Sequence, residues 1–211
     1  MTDPGRRRRV RRDAEQNRER LLAVAAPIAL REGHNVPLAM IAARAGVGVA
    51  TFYRHFSDRD ALVEALQFRA YGFLNRILDE VEPLALSGLD SVGEFLLRAL
   101  AISDQLVLPL HGAPPLATPE ATEARQAIDS RLQRFIDRGC AERSIRAPVN
   151  ATDVIVFSAL VTRPLPYSPG WPRLAARQVA NFLNGLAGNG PIALSEPAVT
   201  QGDIERTFAG D

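Results

Sequence analysis

The chain has 211 residues and a formal charge of +1, from 25 basic and 24 acidic side chains, which suits one or two domains. With 46% apolar residues it can build a core and is not a disordered polymer, and no apolar run approaches the ~18–20 residues that span a bilayer. The run RRRRVRRD leads into charged rather than apolar sequence, against a secretory signal, and the single cysteine, Cys140, excludes an internal disulfide framework, so a reduced, cytoplasmic protein with no membrane partner is expected.

The near-zero charge hides an uneven distribution. Residues 1–60 hold 12 Arg and 7 acids, net +5; residues 61–211 hold 13 Arg and 17 acids, net −4. A polyanion partner is therefore expected for the head alone. Within it, residues 1–12 carry Arg6, Arg7, Arg8, Arg9, Arg11 and Arg12 with almost no apolar content, and are expected to form an arm that is disordered until bound. Such an arm would lie along phosphates or enter a minor groove; a solvated leader without a specific role is the alternative.

From about Gln16 to Glu32, Leu21, Leu22, Ala25, Ile28 and Ala29 recur at helical spacing, with Gly33 as the stop and Pro27 as an expected kink or early end. Two short helices are expected at about 37–45 and 48–54. Leu38, Ile41, Ala42 and Ala45 form the apolar face of the first, Gly46 makes the turn, and Val47 and Phe52 supply the core of the second. Small Ala42 lets the helices cross closely. This is the organisation of a helix-turn-helix, whose second helix enters the DNA major groove, although a plain corner of two helices would share the spacing. The solvent face of the second helix would present Thr51, Tyr53, Arg54 and His55, donors suited to phosphate oxygens and base edges.

Ser57-Asp58-Arg59-Asp60 has the form of a capping box for a long helix running to about Val81. Further helices are expected over Ser91 to about Leu108, from the Thr118 cap and Pro119 to about Cys140, from the Asn150/Asp153 cap through VIVFSALV, and over about 172–187 with Ala175, Val179, Phe182 and Leu186 on one face. VIVFSALV is apolar nearly all round, as for a helix buried in a core or an interface. Residues 109–119 and 164–172 are proline-rich loops, and the tail 188–211 is expected to be loose. No stretch alternates with period 2, so the chain is expected to be all-α with about nine helices: arm 1–12, a three-helix DNA-binding domain 13–60, and a helical domain 61–187.

An enzyme is not expected. The three histidines, His34, His55 and His111, are far apart, Cys140 stands alone without zinc-ligand spacing, and no phosphate loop or nucleophile elbow occurs, so no catalytic residue, cofactor or metal is assigned.

The run AGVGVATFYRHFSDRDALVEAL, preceded by IAARAGV at the matching spacing, resembles the signature of TetR-type transcriptional regulators; the similarity covers about residues 16–66. More weakly, Arg138 to Leu160, with its Ser144-Ile145-Arg146 turn, is similar to a ligand-sensing domain of actinobacterial members. The resemblance implies a homodimeric repressor on a palindromic operator in double-stranded DNA, released by a small apolar or amphipathic ligand held in the domain 61–187. It places Val49, Ala50 and Thr51 at bases and nearby backbone, Tyr53 and His55 at phosphates, where Arg54 could also serve, and Arg59 at a phosphate beside the fourth helix, which Ser57 and Asp58 would cap. The chain departs from the pattern at Gly48 and Val49, where a polar and basic pair is usual, and at Pro37 and Ala39. Base readout through hydrogen bonds is therefore thin, leaving methyl contacts and DNA shape.

For the ligand, Phe95, Phe135 and Phe157, with Phe68 and Phe73, are candidate cavity walls, though each such residue is more often plain core, and His111 is a candidate mouth residue or merely exposed. Dimerisation is expected through the helices near 152–162 and 172–187, unless these pack only within the protomer. A DNA-binding regulator that senses nothing, or an activator, would carry the same head; a pocket of several hundred Å³ would favour sensing, a filled core the rival.

Overall fold

The computed structural model describes the backbone of residues 4–32, 37–146, 149–163, 170–187 and 199–209, with side chains for all of these except 4–13, 32, 207 and 209. Among the described residues there are nine α-helices and no strand. They are α1 (Pro4–Glu32), α2 (Leu38–Arg44), α3 (Val49–His55), α4 (Arg59–Val81), α5 (Gly88–Ala101), α6 (Pro119–Ala141), α7 (Ala151–Thr162), α8 (Trp171–Ala187) and α9 (Gln201–Ala209). The chain divides into two compact units: residues 1–67 with 104–107, and residues 68–103 with 108–211.

In the first unit α1 packs on α2 and α2 on α3. Its core is the apolar set that helical spacing selects: Leu21, Leu22, Ala25 and Ile28 of α1, Ile41 and Ala42 of α2, Phe52 of α3, then Phe56, Leu62 and Leu66, all buried. The Phe52 and Phe56 rings lie 5.4 Å apart, and the Arg18 guanidinium sits 5.2 Å over the Phe56 ring. Val47 is only half-buried, so Phe52 carries the core of the second short helix without it.

Two expectations for this unit are corrected. The backbone of residues 4–12 is helical rather than disordered: Pro4 stands at the first helical position, where its missing N–H costs nothing, and the arginines that follow are good helix formers. The side chains of Arg6, Arg7, Arg8, Arg9, Arg11 and Arg12 lie outside the described residues, as do Gly33 and His34. Pro27 sits inside α1 without ending it. At α4 the cap is Asp58, not Ser57. Asp58 Oδ1 accepts the Ala61 N–H at 2.8 Å while the Ser57 hydroxyl donates to Asp58 Oδ2. The carboxylate reaches the amide and the serine braces the carboxylate.

In the second unit α5 packs against α6, α7 and α8. It starts at Gly88, one turn before the expected Ser91, because Ser87 caps it by accepting the Asp90 N–H, and it ends at Ala101, not near Leu108. Gly88 is needed where α5 meets α6: a Cβ there would lie 2.3 Å from both the Gly139 nitrogen and the Phe135 carbonyl oxygen. The Gly88 N–H donates to Glu142, which also accepts from Ser144 and is held below the usual carboxylate range chiefly by that amide. Thr118 caps α6 with Pro119 in its first turn, and Asn150 and Asp153 form a reciprocal capping box on α7, as their types and spacing predict. Arg131 bridges Asp79 at 2.8 Å and Glu82 at 2.9 Å, and Arg98 bridges Glu80 and Glu94.

The tail is not uniformly loose. Residues 188–198, 210 and 211 lie outside the described residues, but α9 forms over Gln201–Ala209, capped by Thr200, whose N–H and hydroxyl both donate to Asp203 Oδ2. α7 is not buried all round: Leu160 is 67% exposed and Val156 37%, one turn apart, while Phe157 stacks on Phe182 of α8 at 4.0 Å. On α8, Ala175, Val179 and Leu186 are buried as the stripe predicts, and Leu174 is left exposed.

Candidate nucleic-acid interface

The helix-turn-helix is built by a few local choices. α2 ends at Arg44, and the chain reverses at Gly46, whose φ of 70° lies in the left-handed region that glycine enters without a Cβ penalty. The Val47 N–H returns to the Ala42 carbonyl, and α3 begins after Gly48. Ala42 and Ile41 face inward beside Phe52, so the two helices cross closely and the opposite face of α3 is left outward. Neither Pro37 nor Gly48 supplies a side-chain cap, so the first amides of both helices lack the partner that Ser or Thr would give.

That outward face holds the residues the sequence singles out. Val49 is 46% and Tyr53 49% exposed, Ala50 and Arg54 are exposed, and Thr51 and His55 are half-buried. One arrangement the sequence did not reveal is that Arg54 Nη2 donates to Thr51 Oγ1 at 2.9 Å. The guanidinium is thereby tied one turn back along the helix, and the Thr51 hydroxyl keeps its own proton for another acceptor. The Tyr53 ring meets Phe52 edge-on with centroids 6.1 Å apart, which props the phenol outward. Arg59 is half-buried in the first turn of α4. Apolar Val49 and Ala50, a hydroxyl, a phenol and a guanidinium on one exposed helical face can meet methyls, base edges and phosphates.

The second unit contains a cavity of about 70 Å³ walled by Phe95 of α5, Ile128 of α6, Ile155 and Val156 of α7, and Ile204 and Phe208 of α9. Of the six residues proposed from the sequence for a ligand site, Phe68, Phe73, Phe95, Phe135, Phe157 and His111, only Phe95 borders it. Phe135 is buried under the Arg138 guanidinium, 5.3 Å from its ring, and Phe157 is committed to the stack on Phe182. His111 Nε2 lies 3.0 Å from the Ala159 carbonyl oxygen and 3.2 Å from Thr162 Oγ1, holding its loop to α7 rather than opening onto the cavity. Thr152, Ser158 and Gln201 line it beside the apolar residues, and two further polar residues border it: Tyr71, whose hydroxyl is buried, and Arg125, only 8% exposed. Burial works against the charge of Arg125, and Glu205 with Tyr71 more than offsets it; burial pushes the Tyr71 phenol up. Sequence inspection missed both because a lone tyrosine and arginine on helices carry no spacing signal. Among the described residues no cluster of His, Cys, Asp and Glu suits a metal, and no helix is long and apolar enough to cross a membrane.

Comparison with known proteins agrees with this geometry. Residues 21–66 match the family model described as "Bacterial regulatory proteins, tetR family". Among solved structures, the chain is similar to the ketosteroid transcriptional regulator KstR2 of Mycobacterium tuberculosis, with a TM-score of 0.65 at 17% identity over 82% of this chain and 95% of that one. It is similar to the TetR transcriptional regulator SCO0520 from Streptomyces coelicolor, with a TM-score of 0.55 at 28% identity over 82% and 99%. A gamma-butyrolactone receptor, described as ArpA-like, matches with a TM-score of 0.63 at 18% identity over 83% and 90%. No curated protein matches the chain by sequence.

Proposed function

We propose that this chain, whose residues 21–66 match the model of the tetR family of bacterial regulatory proteins, is a DNA-binding transcriptional regulator, a homodimeric repressor of a palindromic operator that a small molecule releases from DNA. The observation that carries the DNA-binding part is the outward face of α3, where Val49, Ala50, Thr51, Tyr53 and Arg54 stand together on a helix whose other face is fixed by buried Phe52. Thr51 with the methyls of Val49 and Ala50 reads bases; Tyr53, Arg54, His55 and Arg59 hold phosphates. The arm arginines, Arg6 to Arg9, Arg11 and Arg12, add a salt-dependent contribution.

The dimer is the natural cover for the apolar face of α7 and α8, where Val156, Leu160 and Leu174 stand exposed. Two recognition helices fit one operator when they lie about one DNA turn apart, ~34–36 Å, and a ligand acts by preferring a different separation. α4 is the helix whose residues are shared between the two units, and it is the route by which a ligand acts on the head. A gamma-butyrolactone receptor among the similar structures supports sensing in this fold.

One observation favours a second reading, a regulator that senses nothing. The cavity of about 70 Å³ is smaller than the ~300–1,000 Å³ of ordinary ligand sites, because α9 side chains occupy one wall. Operator selection with the purified chain tests the proposal. A palindromic site enriched from random duplexes is expected, and enrichment of no sequence would refute it.

A further inference from the structure

The wall that makes the cavity small also shows what it is built to hold. α9 places Ile204 and Phe208, one helical turn apart, against the cavity, and between them in sequence Glu205 reaches Arg125. The contact is bidentate: Arg125 Nε donates to Glu205 Oε1 at 2.6 Å and Nη2 to Glu205 Oε2. The other hydrogen bonds of Arg125 go to the Leu116 carbonyl at 3.0 Å and Thr122 Oγ1 at 3.2 Å, so its fork is fixed from its own side. The Phe208 ring lies 5.4 Å from the guanidinium carbon, and the Tyr71 ring lies 5.9 Å from it. What α9 offers is thus an apolar body with one carboxylate, received by a mainly apolar cavity with one buried cation, Arg125, and the buried phenol of Tyr71 beside it.

We propose that this cavity takes a small amphipathic monocarboxylate, whose carboxylate replaces that of Glu205 on Arg125 while its chain occupies the space of Ile204 and Phe208, so that α9 is a built-in competitor of the ligand. The inference rests on the sensing function proposed above and names its chemistry. A neutral molecule cannot make the exchange, since it would leave the Arg125 charge buried and uncompensated. An acid supplies the missing charge, and its second oxygen can accept the Tyr71 proton. The same exchange accounts for a cavity that is small while α9 is seated.

The test uses the full chain and three probes, octanoate, decanoate and dodecanoate, each against its primary alcohol. Affinity is read by calorimetry and α9 release by amide hydrogen exchange over residues 201–209. At least one acid is expected to bind about tenfold or more tighter than its alcohol and to speed exchange across α9. Glu205→Gln is expected to tighten acid binding about tenfold, and Arg125→Gln to abolish the preference for the acid. Should Arg125→Gln fail to fold, Glu205→Gln alone decides. Equal binding of acids and alcohols, acid binding with α9 still protected, or no acid binding to either the wild-type chain or Glu205→Gln overturns the proposal. Operator affinity read in the same titrations separates the two claims. Operator release by a neutral lactone with α9 still protected overturns the acid site and leaves sensing standing. An acid that binds at Arg125 and frees α9 without changing operator affinity supports the site and removes its regulatory role.

Discussion

Thr51 and Arg54 behave as one unit on the surface of α3, since the guanidinium donates to the threonine hydroxyl. Thr51→Ala therefore removes the proposed groove contact and also unties Arg54; operator binding should weaken by about 1–3 kcal/mol, measured by gel shift. Thr51→Ser, which keeps the acceptor for Arg54, should lose less. The residue types on this face were legible in the sequence because helical spacing alone turns them outward. The Thr51–Arg54 link was not, because it depends on a rotamer. Arg125 shows the same limit more sharply: its partner Glu205 is 80 positions away, beyond any periodicity. Glu82 carries a pH prediction. The hydrogen bond from Arg131 outweighs the cost of burial and, with a lesser one from Arg134, holds its carboxyl below its ordinary value of 4.5. Its contribution is complete above the unfolded pKa and is lost as pH falls through the lower folded one. Melting temperature should thus drop less steeply for Glu82→Gln than for the wild-type chain between about pH 5 and pH 3.

Among the elements, those with strong local signals were the ones foreseen. Thr118-Pro119 and Asn150-x-x-Asp153 fix where α6 and α7 begin, and the structure has both caps. α9 was missed, although Thr200 and Asp203 form a cap and Ile204 and Phe208 a one-turn apolar pair, because a nine-residue polar helix is stable only through what it docks on. α5 starts before the expected Ser91 for a related reason: Gly88 carries no local helix signal and is required by the close approach of α6. Gly88→Ala should destabilise the protein by about 1–3 kcal/mol or more, because the clash is with backbone atoms that cannot rotate away. Chemical denaturation with an unchanged slope checks this. In the arm, removal of residues 2–12 should weaken operator binding and flatten its salt dependence, each lost phosphate contact lowering the log–log slope by ~0.9.

Across the whole molecule, the +1 charge is the sum of a +5 head and a −4 remainder, and the division falls within α4, near the boundary between the two units. The exposed pair Val156 and Leu160 places the dimer proposal at this scale: Leu160→Arg should yield monomers by sedimentation and lose operator affinity while the head stays folded. The central claim, that the exposed face of α3 reads a specific duplex as part of a dimer, is tested most directly by fluorescence anisotropy. The full chain is titrated into a selected operator and into the same duplex scrambled, at one salt concentration. Two protomers per operator and a preference of at least about a thousandfold over the scrambled duplex are expected; one protomer per site, or equal affinity for both duplexes, would contradict the account.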